Sequence, residues 1–322
     1  MDKSCAGSGV PRFRGSGVLR GCAAGALVLS AAVAIVSALT AQPSAPLRIY
    51  LRGGPKTHGP ATNGQHDGPT FVKEWQPLLE SRGAKVAGSL QFPTPEQLDN
   101  TDVIVMFAAY AGTIAGEQRA SFEKFLRRGG GVVVLHDGVL AQEPHWFKTI
   151  IGGAWEDRVA KYFEGENTYY YVNTEHPITK GASTFTITDE VYCDLHMMPD
   201  AQILAASTQP VRPARGAPPA SERSGAPGAP RASEPGGVQG TPPILQAPGA
   251  PAPIGKLIPQ MWVYQRQLEG GQPYRAVVSL LGHHFSTFSN PHVRGIFLRA
   301  IAWAGKRDVD SLATPDEIAA LK

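Results

Sequence analysis

Apolar positions along the chain switch between short continuous runs and helical stripes, the signature of a parallel sheet covered by helices on both faces. Leu47 to Leu51 reads as a first strand, broken by Gly53-Gly54-Pro55. Phe71, Trp75, Leu78 and Leu79 share one side of a helix predicted over Phe71 to Arg82 and closed by Gly83. Lys85 to Ala87 begins a second strand, and Asp102 to Phe107 is a third, buried one. The helix from Gly116 to Arg128 gathers Phe122, Phe125 and Leu126 on one face and ends in basic residues and glycine, as helix carboxyl ends prefer. Gly129-Gly130-Gly131 then leads into Val132-Val133-Val134-Leu135, whose β-branched run predicts a central strand buried on both faces. His136 stands at the carboxyl end of that strand, the edge where open α/β sheets bind ligands, so its position alone makes it a site candidate.

Beyond His136 the pattern changes. A short helix spans Pro144 to Ile151, and strand-like Thr168 to Val172, Phe185 to Thr188 and Gln202 to Ala205 come next without helices between them, which predicts an antiparallel extension at the sheet edge. Residues 210–255 are dominated by Pro, Gly, Ala and Ser and hold too little apolar surface to fold, so they read as a disordered insertion. Strands Gln260 to Gln265 and Tyr274 to Leu281 and a helix from Val293 to Ala304 complete the core. Thr314-Pro315-Asp316-Glu317 is a capping box with proline at the first helical position, which starts a short helix in the tail, 307–322.

Residues 1–41 stand apart. Arg12, Arg14 and Arg20 precede an apolar run from Ala23 to Leu39, and small residues come after it, the layout of a secretory signal peptide cleaved after Ala41. An uncleaved inner-membrane anchor is the alternative. Either way the protein is expected to be exported, to the periplasm or beyond. This leader holds four of the 30 basic residues and one of the 27 acidic ones, so the remainder of the chain is formally neutral. No general electrostatic case remains for nucleic acid as a partner, and a membrane enters only through an uncleaved leader. Cys5 and Cys22 also belong to the leader, which leaves Cys193 without an intramolecular disulfide partner; it follows Val191-Tyr192 in a strand-like run and is expected to pack.

All nine histidines lie outside the leader. His58 and His66-Asp67 fall in the loop after the first strand, His136-Asp137 after the central strand, Asp189-Glu190 after a short strand, and His283-His284 after the last long strand. In a doubly wound sheet such loops meet at one edge, and imidazoles converging with a carboxylate are what acid–base catalysis or a divalent metal needs. Blander roles compete: Asp67 as a helix cap, His136 bonded to a backbone carbonyl, Glu190 as an ordinary ion-pair partner. Strand alternation turns only one of His283 and His284 inward. His145, His176, His196 and His292, nearer helices or variable loops, are expected to be structural. Other chemistries find no support: there is no His-Glu-x-x-His metal motif, Gly129-Gly130-Gly131 precedes a strand instead of opening a helix, and no Gly-x-Ser-x-Gly elbow occurs.

From Leu47 to Gly305, apart from the insertion, the chain resembles the ThuA-like family, named for a trehalose-utilisation protein and related in fold to class I glutamine amidotransferases. The resemblance is carried by the turn from Gly53-Gly54 to His58, His66-Asp67, the run from Gly129 to His136, Ile151-Gly152-Gly153, and His176-Pro177-Ile178-Thr179-Lys180-Gly181. Thr188-Asp189-Glu190-Val191-Tyr192, Leu281-Gly282-His283 and Ile301-Ala302-Trp303-Ala304 continue it in order. It implies a flavodoxin-like three-layer α/β/α sandwich over 42–306, with a mostly parallel sheet and a small antiparallel extension. It also implies that His136 stands where the amidotransferases carry their nucleophilic cysteine, which excludes glutamine hydrolysis through a thioester in its usual form. Family context points to a small carbohydrate ligand, so the expected function is an exported enzyme acting on a glycoside or keto-sugar by acid–base or metal-assisted chemistry. His136 would be general base or metal ligand and Glu190 its acid–base partner; His58 and His283 would polarise a sugar oxygen or, with His66 and His136, hold a divalent cation. The alternative is a non-catalytic carbohydrate-binding or envelope-associated module in which Tyr110, Trp146, Tyr192 and Trp262 stack on sugar faces.

Overall fold

The computed structural model describes residues 45–60, 62–208 and 256–322. The expected leader, 1–41, and the expected insertion, 210–255, lie outside the described residues. No described helix is long and apolar enough to cross a membrane. In chain order the first half comprises β1 (Arg48–Arg52), α1 (Gly68–Ser81), β2 (Lys85–Ser89), α2 (Pro95–Asp99), β3 (Val103–Met106), α3 (Gly116–Arg127), β4 (Gly131–Leu135), a single 3-10 turn (His136–Val139) and α4 (Pro144–Ile151). Then come β5 (Gly153–Ala154), β6 (Lys161–Tyr171), β7 (Phe185–Cys193), β8 (His196–Met197), β9 (Gln202–Thr208), β10 (Leu257–Gln267) and β11 (Pro273–Ser279), and last α5 (Phe285–Ser289), α6 (Pro291–Ala304) and α7 (Pro315–Ala319).

Nine strands form one sheet in the order β2-β1-β3-β4-β11-β10-β9-β6-β7. The strands from β2 to β11 run parallel, and β10, β9, β6 and β7 continue the sheet antiparallel. Every residue of β3 and β4 is buried, as their unbroken apolar runs require. Alternation splits these strands between two cores. Ile49, Leu51, Val103, Val105, Val133 and Leu135 pack with α1 and α6, while Tyr50, Ile104, Met106, Val132 and Val134 pack with α3 and α4. The result is the expected flavodoxin-like sandwich of three layers.

The hairpin β6–β7 is longer than its apolar pattern suggests. Its distal half, from Lys161 to Glu166, is largely polar and exposed, so no alternation signals it. Consequently Asp189 and Glu190 sit inside β7, opposite Gly165 and Glu164, and not in a loop after a short strand. The pairing of β5 with β8, through Gly153–Met197 and Ala154–His196, also went without a sequence signal, since two-residue strands show no period.

Close packing shapes the loop from β1 to α1. Asp67 caps α1 by accepting from the Thr70 backbone N–H at 3.0 Å, the role anticipated for it. Gly68 lies so near β1's end that a Cβ there would come within 1.6 Å of the Gly53 carbonyl oxygen. Gly68→Ala should therefore cost at least about 2 kcal/mol, through overpacking against backbone, in a urea denaturation series.

His176, in the segment between β6 and β7, is held in its neutral form. Its Nδ1 accepts the Ile178 backbone N–H at 3.3 Å, and its ring meets Trp303 edge-on at 5.0 Å. Burial, helped by the Arg275 charge, pushes its pKa down to about 4 from 6.5. The unfolded chain then binds the proton that the folded chain refuses, so stability should fall as pH drops from about 6.5 toward 4, by about 3 kcal/mol when complete. Denaturation midpoints at pH 7 and 4.5 test this: His176→Asn, which keeps an acceptor but does not titrate, should lose less stability between them than wild type.

Candidate functional site

Four elements of the fold converge on one buried point at the carboxyl edge of the parallel strands. His136 follows β4 and opens the 3-10 turn with φ of 50°, a left-handed conformation uncommon for a residue with a side chain. His66 precedes α1, also with a positive φ of 44°. His283 follows β11, and Glu190 reaches in from β7. All four are buried, His136 completely. His66 Nε2 lies 2.9 Å from His283 Nδ1 and 3.1 Å from His136 Nε2. Glu190 Oε2 lies 3.4 Å from His136 Nε2 and 3.3 Å from His283 Nδ1. One ligand atom from each residue falls within 4.8 Å of the others.

The backbone of this site is tied together by Asp189, whose carboxylate accepts from Gly282 N (3.1 Å), His283 N (3.0 Å), Glu190 N (2.8 Å) and Thr287 Oγ1 (2.8 Å). Burial raises its pKa, and these four bonds oppose the rise. The His283 carbonyl in turn accepts from His66 N at 3.0 Å, and Phe285 N donates to the Gly64 carbonyl at 2.8 Å, which docks the His66 loop. Gly282 adopts a φ of 133° with its missing Cβ only 3.3 Å from that of His136 and 2.9 Å from the Phe288 ring, so no side chain fits.

Outer contacts assign the protons. His136 Nδ1 is 2.9 Å from the Leu280 carbonyl oxygen and must donate to it, which leaves Nε2 as a lone pair. Asp137 Oδ2, buried and making no hydrogen bond of its own among the described residues, sits 2.7 Å from His66 Nδ1 in an oblique charge contact. That oxygen anchors His66 Nδ1 from the outside and leaves Nε2 turned toward His136 and His283. Burial, reinforced by His66, holds the His136 pKa far below the usual imidazole range, so His136 stays neutral. For His283 burial acts downward, but hydrogen bonding and charge from Glu190 outweigh it and raise the pKa. The Tyr192 hydroxyl stands 3.2 Å from His136 Nε2, its own pKa driven well up by burial and by Asp137.

His58 is placed differently from the other candidates. It is exposed, its ring centroid lies 4.1 Å from that of His66, and it is absent from the group of converging ligand atoms. Burial of its inner edge and the neighbouring His66 lower its pKa. Of the adjacent pair, His283 turns inward and His284 turns to Glu164, 3.1 Å away. Tyr110 is exposed and donates to Asp157 at 3.1 Å, whereas Trp146 packs against Arg119, whose guanidinium carbon lies 4.1 Å from the ring centroid. Trp262 is wholly buried and donates to the Ile151 carbonyl, so it cannot stack on a sugar. Cys193 is buried in β7 with its thiol pKa raised by burial and Asp194, which suits packing and not nucleophilic attack. Sequence reasoning named Asp137 and Asp189 only as neighbours of His136 and Glu190; their partners are distant in sequence, and no local pattern announces them.

The family model described as ThuA, trehalose utilisation, matches residues 60–304. No curated protein matches the chain. Among solved structures it is similar to a protein described as ThuA-like from Bacteroides uniformis, with 16% identity over 80% of this chain and 91% of that one and a TM-score of 0.51. A second protein so described, from Parabacteroides merdae, also shows 16% identity, over 81% of this chain and 90% of that one, with a TM-score of 0.50. At such identity the structural likeness speaks for the fold alone, whereas the family match runs through the four converging residues and most of the chain. The chain belongs to the ThuA family.

Proposed function

We propose that this protein is an exported enzyme that acts on a carbohydrate, a glycoside or keto-sugar, at a divalent-metal centre held by His66, His136, Glu190 and His283. Export is supported by the leader sequence, and the substrate class by the family's description as trehalose utilisation. The observation that carries the metal is the convergence, in a buried site, of three imidazole nitrogens and a carboxylate oxygen, one ligand atom each from His66, His136, His283 and Glu190 within 4.8 Å of one another. Burial holds His136 neutral, which keeps its Nε2 lone pair free for a cation. The nearest ligand-to-ligand distances, 2.9, 3.1, 3.3 and 3.4 Å, are short enough for these atoms to share one small divalent cation with bonds of about 2.0–2.2 Å. Outer partners fit the same reading, since Leu280 O and Asp137 orient the two rings as carbonyls and carboxylates do around metal-bound histidines.

A divalent ion supplies Lewis-acid polarisation of a sugar oxygen when bound there. The chain's own groups divide the remaining work. His58, exposed at the rim with a lowered pKa, is neutral near pH 7 and can take a proton from a sugar hydroxyl. Thr57 Oγ1, 3.0 Å from His58 Nδ1 and 3.3 Å from His66 Nδ1, orients that ring. Tyr192 keeps its proton and presents it beside His136.

Elemental analysis of protein purified without chelator should find one fewer equivalent of divalent metal in His136→Ala than in wild type, together with loss of turnover in a screen of keto-sugars and glycosides. Equal metal content in the two proteins would sink the metal centre. Asp137→Asn removes only the outer charge on His66, and competition with a chromogenic chelator should show metal affinity weakened by about 10- to 100-fold, not abolished.

A further inference from the structure

A second set of metal-ligating side chains lies apart from His66, His136, Glu190 and His283. His145 is the second residue of α4, Glu156 follows β5, and His196 opens β8. Their ligand atoms fall within 4.8 Å of one another. Glu156 Oε2 touches His196 Nε2 and lies 3.5 Å from His145 Nε2, and the two rings meet edge-on with centroids 5.0 Å apart. His196 Nε2 is shut off from solvent yet makes no hydrogen bond among the described residues, the Glu156 contact included. The Glu156 carboxylate has no Lys or Arg partner among the described ion pairs; the two histidines are its only charge contacts there. A buried ring nitrogen beside a carboxylate but not aligned to bond with it is costly as it stands, and a cation seated among the three atoms resolves the cost.

The backbone around these residues is held before any ion arrives. Register pairs Ala154 with His196, Met198 N donates to the Gly152 carbonyl at 2.9 Å, and Trp155 N donates to the Val139 carbonyl at 3.1 Å. The His145 side chain is 67% exposed and those of Glu156 and His196 about one third, so the set opens to solvent on the His145 side. Two imidazoles and a carboxylate with one open face form a donor set suited to Zn²⁺, with water completing the sphere.

We infer that His145, Glu156 and His196 form a second divalent-metal site, of the zinc class, that clips α4 to the β5–β8 pair. Its ion would also steady the wall of the first site. Glu156 adjoins Trp155, whose ring packs at 4.8 Å on Tyr192, and the Tyr192 hydroxyl reaches His136.

The test strips the full chain with chelator and measures Zn²⁺ uptake by equilibrium dialysis for wild type, His196→Ala, His136→Ala and the double variant. Two ions are expected in wild type, one in each single variant and none in the double. Uptake by His196→Ala equal to wild type would overturn the second site. One ion in wild type that disappears only with His136→Ala would overturn it while leaving the first site standing; one that disappears only with His196→Ala would do the reverse. His145→Gln, a change on an exposed side chain, guards against misfolding: affinity at this site should fall by more than about 100-fold, beyond the effect of outer-shell changes, with the metal-free melting temperature unmoved. Unchanged affinity in that variant would also count against the site.

Discussion

A single buried carboxylate, Asp189, ties the antiparallel hairpin to the loop that follows the last parallel strand. It belongs to the antiparallel hairpin, yet three of its four hydrogen bonds reach the segment Gly282, His283 and Thr287 that comes after the last parallel strand. Charge-assisted bonds of this kind are worth roughly twice a neutral one, and in a water-free setting their loss would leave an unpaired charge. The consequences run outward. Asp189 sets the His283 main chain, the His283 carbonyl holds His66 N, and Glu190 is its sequence neighbour. Three of the four converging groups are thus positioned by one carboxylate, and only His136 is placed independently, by β4.

Burying three imidazoles and a carboxylate at one point runs against the packing logic of the surrounding cores. Each uncompensated polar group costs free energy in an apolar setting, and the low dielectric that penalises them also strengthens whatever cation satisfies them. Contacts to Leu280 and Asp137 occupy the outward nitrogens of His136 and His66 and leave the inward ones facing each other. Here acceptors hold the outward nitrogens and the inward ones converge on Glu190 and His283, an arrangement of ligand atoms that binding explains.

How much of this was legible in the sequence depends on what kind of signal each residue leaves. Strand β4 and the placement of His136 came from Val132-Val133-Val134-Leu135, because a strand buried on both faces must be continuously apolar. Asp67 was readable as a cap since its partner lies three residues on. Glu190 reads from the sequence as a loop residue after a short strand, but the strand runs on through it, because the outer hairpin faces solvent and carries no apolar alternation. Asp189 was legible as a residue and not as an anchor, since its bonds to Gly282 and His283 cross 93 and 94 positions. His145 and His196 were read as structural for a related reason: what brings them together is a pairing of two-residue strands, too short to have a period.

The turn at His136 shows how one backbone geometry serves different chemistries. A positive φ immediately after a central strand lifts the side chain at that position out of the strand's alternation and aims it over the sheet edge, at a strain of about 1–3 kcal/mol. In the amidotransferase relatives suggested by the resemblance, such an elbow presents a thiol to solvent and substrate. Here it presents an imidazole that is fully buried, with its Nδ1 committed to Leu280 and its Nε2 pointed at His66, Tyr192 and Glu190. A nucleophile needs an open approach, and this fully buried side chain has none. A ligand needs a fixed lone pair, a second nitrogen anchored from behind and neighbours of the same kind, and it has all three. The elbow therefore holds a lone pair in place, and the chain beside it must be glycine, since a Cβ at position 282 would stand only 3.3 Å from the His136 Cβ.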